Sequence, residues 1–206
     1  MTSYRVISSD SHVFEPSDLW TTRIDLPFRH RAPRVISDGV YDQWIVEADK
    51  KVGSIGLVSQ AGTRFEAPEH ITFGGRIQDV RPGGYDPEEH VKDMDLDGVF
   101  GGVLYPSNGL FFFRIPDSPL LSAIFRAYND WLAEFCRAYP ARLKGIAMVN
   151  VDDVHDGIKE LERAAGLGMA GAMIAVYPLP EKPYSLAHYE QFWAAAQDLD
   201  MPISLH

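Results

Sequence analysis

Asp10 and His12 stand two residues apart in Val6-Ile7-Ser8-Ser9-Asp10-Ser11-His12, a short stretch near the N-terminus that begins apolar and ends polar. Side chains along a β-strand alternate between faces, so residues at this spacing project the same way, carboxylate oxygen beside imidazole nitrogen. That pair suits a divalent cation. The same spacing also arises on solvated surfaces and where an aspartate orients a histidine, and the residue types alone leave all three readings open. His206 closes a second short stretch, Met201-Pro202-Ile203-Ser204-Leu205, and would present another imidazole in the same manner. One carboxylate and two imidazoles leave coordination positions free for water or a substrate oxygen.

The elements that must carry these residues follow from the pattern of apolar positions. Asp86-Pro87-Glu88-Glu89 supplies an N-cap, a proline at the first helical position and a glutamate at the third, which predicts a helix through about Leu96. A strand is expected from Val99 to Tyr105, and a long helix from Ser118-Pro119, whose Leu121, Ile124, Phe125, Tyr128, Leu132 and Phe135 recur at three- and four-residue steps. A strand around Gly145 to Val149, a helix around Ile158 to Ala165, a strand Gly171 to Val176 and a helix carrying Tyr189, Phe192, Trp193, Ala196 and Leu199 precede the strand that ends in His206. Continuous apolar strands alternating with helices read as βα units of a parallel sheet covered on both faces. A (β/α)8 barrel and an open doubly wound sheet both satisfy that pattern. No Gly-x-Gly-x-x-Gly turn follows the first strand and no Walker-type loop occurs, so the usual signs of nucleotide binding are missing.

Between the first strand and Asp86 lies an irregular region, residues 13–85, rich in Pro, Gly and aromatics. Trp44-Ile45-Val46-Glu47 and Val52 to Val58, separated by Asp49-Lys50-Lys51, predict an inserted β-ribbon of the kind that often serves as a lid. Gly74-Gly75-Arg76 and Arg81-Pro82-Gly83-Gly84 are breaker clusters. The whole of 1–206 reads as one domain.

With 206 residues, 46% of them hydrophobic, the chain can bury a substantial core. A formal charge of −10 argues against nucleic acid or an anionic membrane surface as partner. No apolar run approaches a membrane span and no signal-peptide core follows the N-terminus, which gives a cytoplasmic expectation. The single cysteine, Cys136, cannot form an internal disulfide and reads as a buried thiol in a helix.

Asp10-Ser11-His12-Val13-Phe14-Glu15-Pro16-Ser17-Asp18-Leu19-Trp20 resembles the opening of the amidohydrolase-related family, the metal-dependent barrel hydrolases and decarboxylases grouped with aminocarboxymuconate-semialdehyde decarboxylase. Asp93-Met94-Asp95, Val103-Leu104-Tyr105-Pro106-Ser107, Tyr128-Asn129-Asp130-Trp131 and Pro202 to His206 extend the resemblance in order along the chain. It implies a (β/α)8 TIM barrel whose site lies at the C-terminal ends of the strands, where Asp10, His12 and His206 fall. It also implies one divalent ion on those three residues, Zn²⁺ first, with Mn²⁺ or Fe²⁺ as alternatives. Five strands make a partial barrel, so the remaining strands and the acid/base groups are expected beyond residue 206 or from another chain. The segment alone is expected to be a homo-oligomer or aggregation-prone, and without turnover.

The expected activity is metal-dependent hydrolysis of a small substrate; decarboxylation within the same family, or a non-catalytic assembly module, is the alternative. Tyr105-Pro106-Ser107-Asn108-Gly109-Leu110-Phe111-Phe112-Phe113-Arg114 opens on the same barrel face. Its Phe112 and Tyr105 could line an apolar pocket with Arg114 clamping a carboxylate, or its three phenylalanines could form a subunit interface. Glu15 either orients the metal site or faces solvent. His90, His155 and His188 fall near first helical turns, and His30 and His70 in the insertion, where solvated roles are favoured.

Overall fold

In the computed structural model, which describes residues 4–47, 50–60, 69 and 73–206, the chain enters through β1 (Val6–Val13) and leaves it for α1 (Leu19–Arg23). A ribbon follows, made of β2 (Arg34–Ser37), β3 (Asp42–Val46) and β4 (Lys50–Ser54), paired antiparallel in that order. The second strand of the hairpin therefore opens on Lys50 and Lys51 and stops at Ser54, with a 3-10 turn over Gly56–Val58 where more strand was expected. Asp49 of the expected turn, and His70, lie outside the described residues.

From Asp86 onward the alternation expected of βα units holds. α2 (Pro87–Leu96) starts where the Asp86 carboxylate accepts from the N–H groups of Glu88 and Glu89, satisfying donors that a first turn leaves free. β5 (Val99–Pro106) leads to α3 (Ser118–Arg137), capped by Asp117, whose side chain accepts from Leu120 N at 3.0 Å. The cap sits one residue ahead of the Ser118 start read from sequence. β6 (Leu143–Met148), α4 (Val154–Gly166), β7 (Gly171–Ile174), α5 (Glu190–Asp198) and β8 (Ile203–Leu205) complete the run. α4 begins four residues before Ile158 because Asp153 caps it at Asp156 N.

The strands form one parallel sheet in the order β1-β5-β6-β7-β8, with a helix in each crossover. This is a partial (β/α)8 barrel. Among the described residues β1 pairs only with β5, and β8 only with β7, so both edges are unpaired. The sheet is strongly curled, as expected of barrel strands. Its curvature is measured by Tyr105 on β5, whose hydroxyl lies 3.0 Å from Ser204 Oγ on β8, a strand two places beyond its nearest neighbour.

α3 presents Leu121, Ile124, Phe125, Tyr128, Leu132 and Phe135 to the core, all buried. The ribbon is fastened to the same core by Trp44, fully buried, with its ring edge-on to Trp20 at 5.0 Å. Trp20 in turn donates its indole N–H to Ile124 O of α3 at 3.0 Å. Among the described residues no helix is long and apolar enough to cross a membrane.

Candidate metal centre

β1 does not run evenly beside β5. Ser8 faces Gly102 and Ser11 faces Leu104, so three steps on β1 match two on β5, and the irregularity spans Ser9 and Asp10. An extra residue of this kind re-aims side chains next to it. Beyond it the pairing resumes with His12 opposite Tyr105 and Val13 opposite Pro106.

The curl of the sheet brings the tail of β8 over the mouth of β1. His206, one residue past the strand, places Nε2 3.1 Å from Asp10 Oδ1 and 3.3 Å from His12 Nε2, and His12 Nε2 lies 3.3 Å from Asp10 Oδ1. Among the described residues these three make the one cluster of histidine, cysteine or carboxylate ligand atoms close enough to share an ion. Ligands held about 2.1 Å from a first-row divalent ion stand roughly 3.0 Å apart at octahedral angles and roughly 3.4 Å at tetrahedral ones. The observed triangle falls between those limits, so these residues could hold such an ion with little rearrangement.

The protonation pattern suits it as well. His12 Nδ1 lies 2.8 Å from Pro106 O, and a carbonyl can only accept, so Nδ1 carries a proton and Nε2, which faces Asp10 and His206, is the nitrogen that would offer its lone pair to an ion. The triad is open on one side: the Asp10 side chain is 64% exposed, those of His12 and His206 about one-third. Below it stands Tyr105, nearly buried, its ring 5.0 Å from that of His206 and 6.1 Å from that of His12. His12 also borders a cavity of about 410 Å³ between β1 and α2, shared with Ser11, Phe14, His90 and Asp93.

The remaining expected site residues separate. Phe112 is fully buried among Trp20 and Trp44. The segment Gly109–Arg114 is a 3-10 turn, with three residues per turn, so its successive phenylalanines point in three directions. Phe111 lies against Gly53 of the ribbon, where an added Cβ would meet its ring at 2.7 Å; Phe113 meets Phe125 edge-on at 4.7 Å. Phe111 and Phe113 are half-buried and Phe112 fully buried, so the three do not form one exposed surface, although Phe113 and Arg114 border a common cavity. Arg114 is exposed and borders a cavity of about 260 Å³ with Ile115, Val149, Tyr184 and Tyr189, and none of the triad lines it.

Glu15 does not face solvent and is not one of the clustered ligands. It is fully buried, and its oxygens accept from Asn108 N, Asn108 Nδ2 and Gly109 N. Burial pushes its pKa up, opposed by those N–H donors. His90 donates its Nδ1–H to Gly83 O, while His30, His155 and His188 are exposed, away from the triad. Local sequence carried no sign of the Pro106 carbonyl, Ser204 or Asn108, whose roles depend on contacts across more than ninety residues.

Comparison with known proteins adds a family and a fold. The family described as amidohydrolase matches residues 79–206. A gamma-resorcylate decarboxylase of Polaromonas sp. (strain JS666) is 34% identical over 125 residues, 58% of this chain and 38% of that protein. An amidohydrolase from Mycobacterium avium subsp. paratuberculosis superposes with a TM-score of 0.77 at 20% identity, covering 100% of this chain and 59% of the other. A dihydroxybenzoic acid decarboxylase from Polaromonas, solved with manganese and 2-nitroresorcinol, gives 0.57 at 21% identity, covering 99% and 49%. The chain thus spans about half the length of the solved proteins it resembles. Manganese, not the zinc expected first, is the ion named with that relative's structure.

Proposed function

Because the chain belongs to the amidohydrolase family, we propose that it carries the metal-binding part of a metal-dependent decarboxylase acting on a hydroxylated aromatic acid. The observation that carries this reading is the Asp10, His12 and His206 triangle, with edges of 3.1–3.3 Å at the strand ends of a partial barrel. Decarboxylation displaces hydrolysis as the leading activity because the curated relative and a solved neighbour are decarboxylases of hydroxylated benzoic acids. Manganese(II) is the ion of first choice, on the evidence of that neighbour.

When bound, the ion supplies positive charge that holds the substrate's oxygens and stabilises charge as carbon dioxide leaves. In this reaction the bond between ring and carboxyl carbon breaks, its electron pair stays on the ring carbon, and a proton takes the place of the carboxyl group. The residues of this chain set the stage. Asp10 contributes the only negative charge of the three ligands, so a divalent site keeps net positive charge for an anionic substrate. His12 offers Nε2 because the Pro106 carbonyl holds its other proton, and His206 closes the triangle from β8. Tyr105 and His206 give the floor of the site an aromatic surface against which a planar ring can lie.

The test is binding and turnover of 2,6-dihydroxybenzoate by the chain loaded with Mn²⁺. Calorimetry should show binding that needs the metal and is lost in Asp10→Asn, and resorcinol with carbon dioxide should be the products of any turnover. Binding indifferent to the metal, or release of hydrolysis products from amide substrates instead, would overturn the reading.

A further inference from the structure

A buried carboxylate with no part in the chemistry above stands three residues past His12. Glu15 has no exposed surface, a costly place for a charge unless its hydrogen bonds are met. They are: Asn108 N donates to it at 2.9 Å, Asn108 Nδ2 at 3.0 Å and Gly109 N at 2.8 Å. All three partners donate and none accepts, so the arrangement fits a carboxylate and sets donor against donor if an amide or neutral acid replaces it. Asn108 meets this demand at some cost, since its Oδ1 is buried with no hydrogen-bond partner among the described residues.

The turn held in this way is Pro106 to Gly109, directly after β5. It begins with the carbonyl that accepts from His12 Nδ1, and it has little freedom to slide. A Cβ on Gly109 would meet Met148 Sδ and Pro106 Cβ at 2.8 Å and Glu15 Oε1 at 3.1 Å, so only glycine lets the backbone come this close to the carboxylate. The last strand pair, Val13 with Pro106, brings β1 and β5 side by side, while the direction of the Pro106 carbonyl depends on the turn beyond it.

We propose that Glu15 is a positioning residue of the metal centre: it holds the turn after β5 so that the Pro106 carbonyl keeps the ring proton of His12 on Nδ1 and the Nε2 lone pair faces Asp10 and His206. The effect on metal affinity rests on the reading of the triad as a metal site; the effect on the His12 proton does not. Replacement Glu15→Gln keeps the size and puts an N–H₂ against at least one of the three donors, since Asn108 N and Nδ2 share Oε2 while Gly109 N meets Oε1. Asn108→Ala removes one donor and leaves both backbone donors in place, a milder change that serves if Glu15→Gln does not fold.

Three quantities are measured on the full chain: Mn²⁺ affinity from the free-ion electron spin resonance signal, the His12 tautomer from imidazole ¹⁵N shifts without metal, and thermal unfolding. Glu15→Gln should weaken Mn²⁺ binding by about 10-fold or more, the range for groups that orient metal ligands, and convert His12 from the Nδ1–H form to a mixture. Asn108→Ala should move both in the same direction by less. Variants that lose thermal stability but keep the Mn²⁺ affinity and the His12 tautomer would overturn the proposal and leave Glu15 a role in folding alone. A wild-type chain that binds no Mn²⁺ removes the metal reading, and the tautomer comparison then decides the link from Glu15 to His12.

Discussion

Adding Mn²⁺ should raise the unfolding temperature of this protein, and His206→Ala should abolish most of the rise. The three ligand atoms already stand 3.1–3.3 Å apart, so their common centre is ~1.9 Å from each, and an ion with bonds of ~2.2 Å would sit about 1 Å above their plane. Little of the binding free energy is then diverted into rearrangement. The unfolded chain offers no such cluster, because residues 10 and 206 are 196 positions apart. At a free metal concentration of about 100 times Kd, binding to the folded state alone stabilises by ~2.7 kcal/mol. For a chain of this size each kcal/mol is worth ~2–4 °C, which predicts a rise of roughly 5–11 °C. If loss of one imidazole weakens binding ~100-fold, the same metal concentration stabilises by only about 0.4 kcal/mol, or ~1–2 °C. Differential scanning calorimetry of the wild type, His206→Ala and Arg114→Ala at matched metal gives the answer. Arg114→Ala should keep the full rise, since Arg114 borders a different cavity. A wild type indifferent to Mn²⁺, or a His206→Ala protein that keeps a rise of several degrees, would refute the assignment of the triad.

Trp44→Ala should destabilise the chain by about 3–5 kcal/mol in urea unfolding, because a fully buried indole wedged against Trp20 leaves a cavity that the ribbon cannot close; a loss below about 1 kcal/mol would mean that the ribbon rests only loosely on the core. Asp117→Ala should cost about 1 kcal/mol through loss of the α3 cap. The Leu120 N–H and the Arg31 guanidinium hold the Asp117 carboxyl below its ordinary 3.8, so its contribution is present above that value and lost as pH falls through the lower folded one. The gap between wild type and Asp117→Ala should therefore narrow on acidification, and a constant gap down to about pH 2 would contradict this. Burial pushes the Cys136 thiol up to about 12, so iodoacetamide at about pH 8 should label the native protein far more slowly than the unfolded one; equal rates would show the thiol to be accessible. The unpaired edges of β1 and β8 should drive self-association, detectable by light scattering, and a monodisperse monomer at high concentration would speak against it.

What the sequence made legible was whatever its short-range pattern encodes. Asp86-Pro87 marked the start of α2 because capping is a matter of neighbouring residues, and the apolar spacing of α3 identified the face it buries. Asp10 and His12 could be paired from strand alternation alone, although the irregularity at Ser9 and Asp10 could not be foreseen. The meeting of that pair with His206 needed the curvature of the whole sheet, and here the family resemblance supplied what spacing lacked. Phe111, Phe112 and Phe113 look like one surface in the sequence, whereas a 3-10 turn sends them to the ribbon, the core and α3 in turn. Glu15 was legible only as two alternatives, one orienting the metal site and one facing solvent. A charged residue after a strand usually finds solvent, and the three donors that draw it inside come from a turn 93 and 94 residues away.

The triad joins the two outermost strands of the sheet, and this gives any ion bound there a mechanical role. Through Asp10 and His206 it would tie off a loop of 196 residues, nearly the whole chain. If the tie were as firm as a covalent one, it would remove on the order of 5 kcal/mol of entropy from the unfolded ensemble. No local event can assemble it: β1 must wait for every later βα unit to be laid beside the one before, a sequence of long-range closures that makes for slow folding. Ion capture would then report that the curl has been completed, and the ion would act as a clasp that resists its reopening.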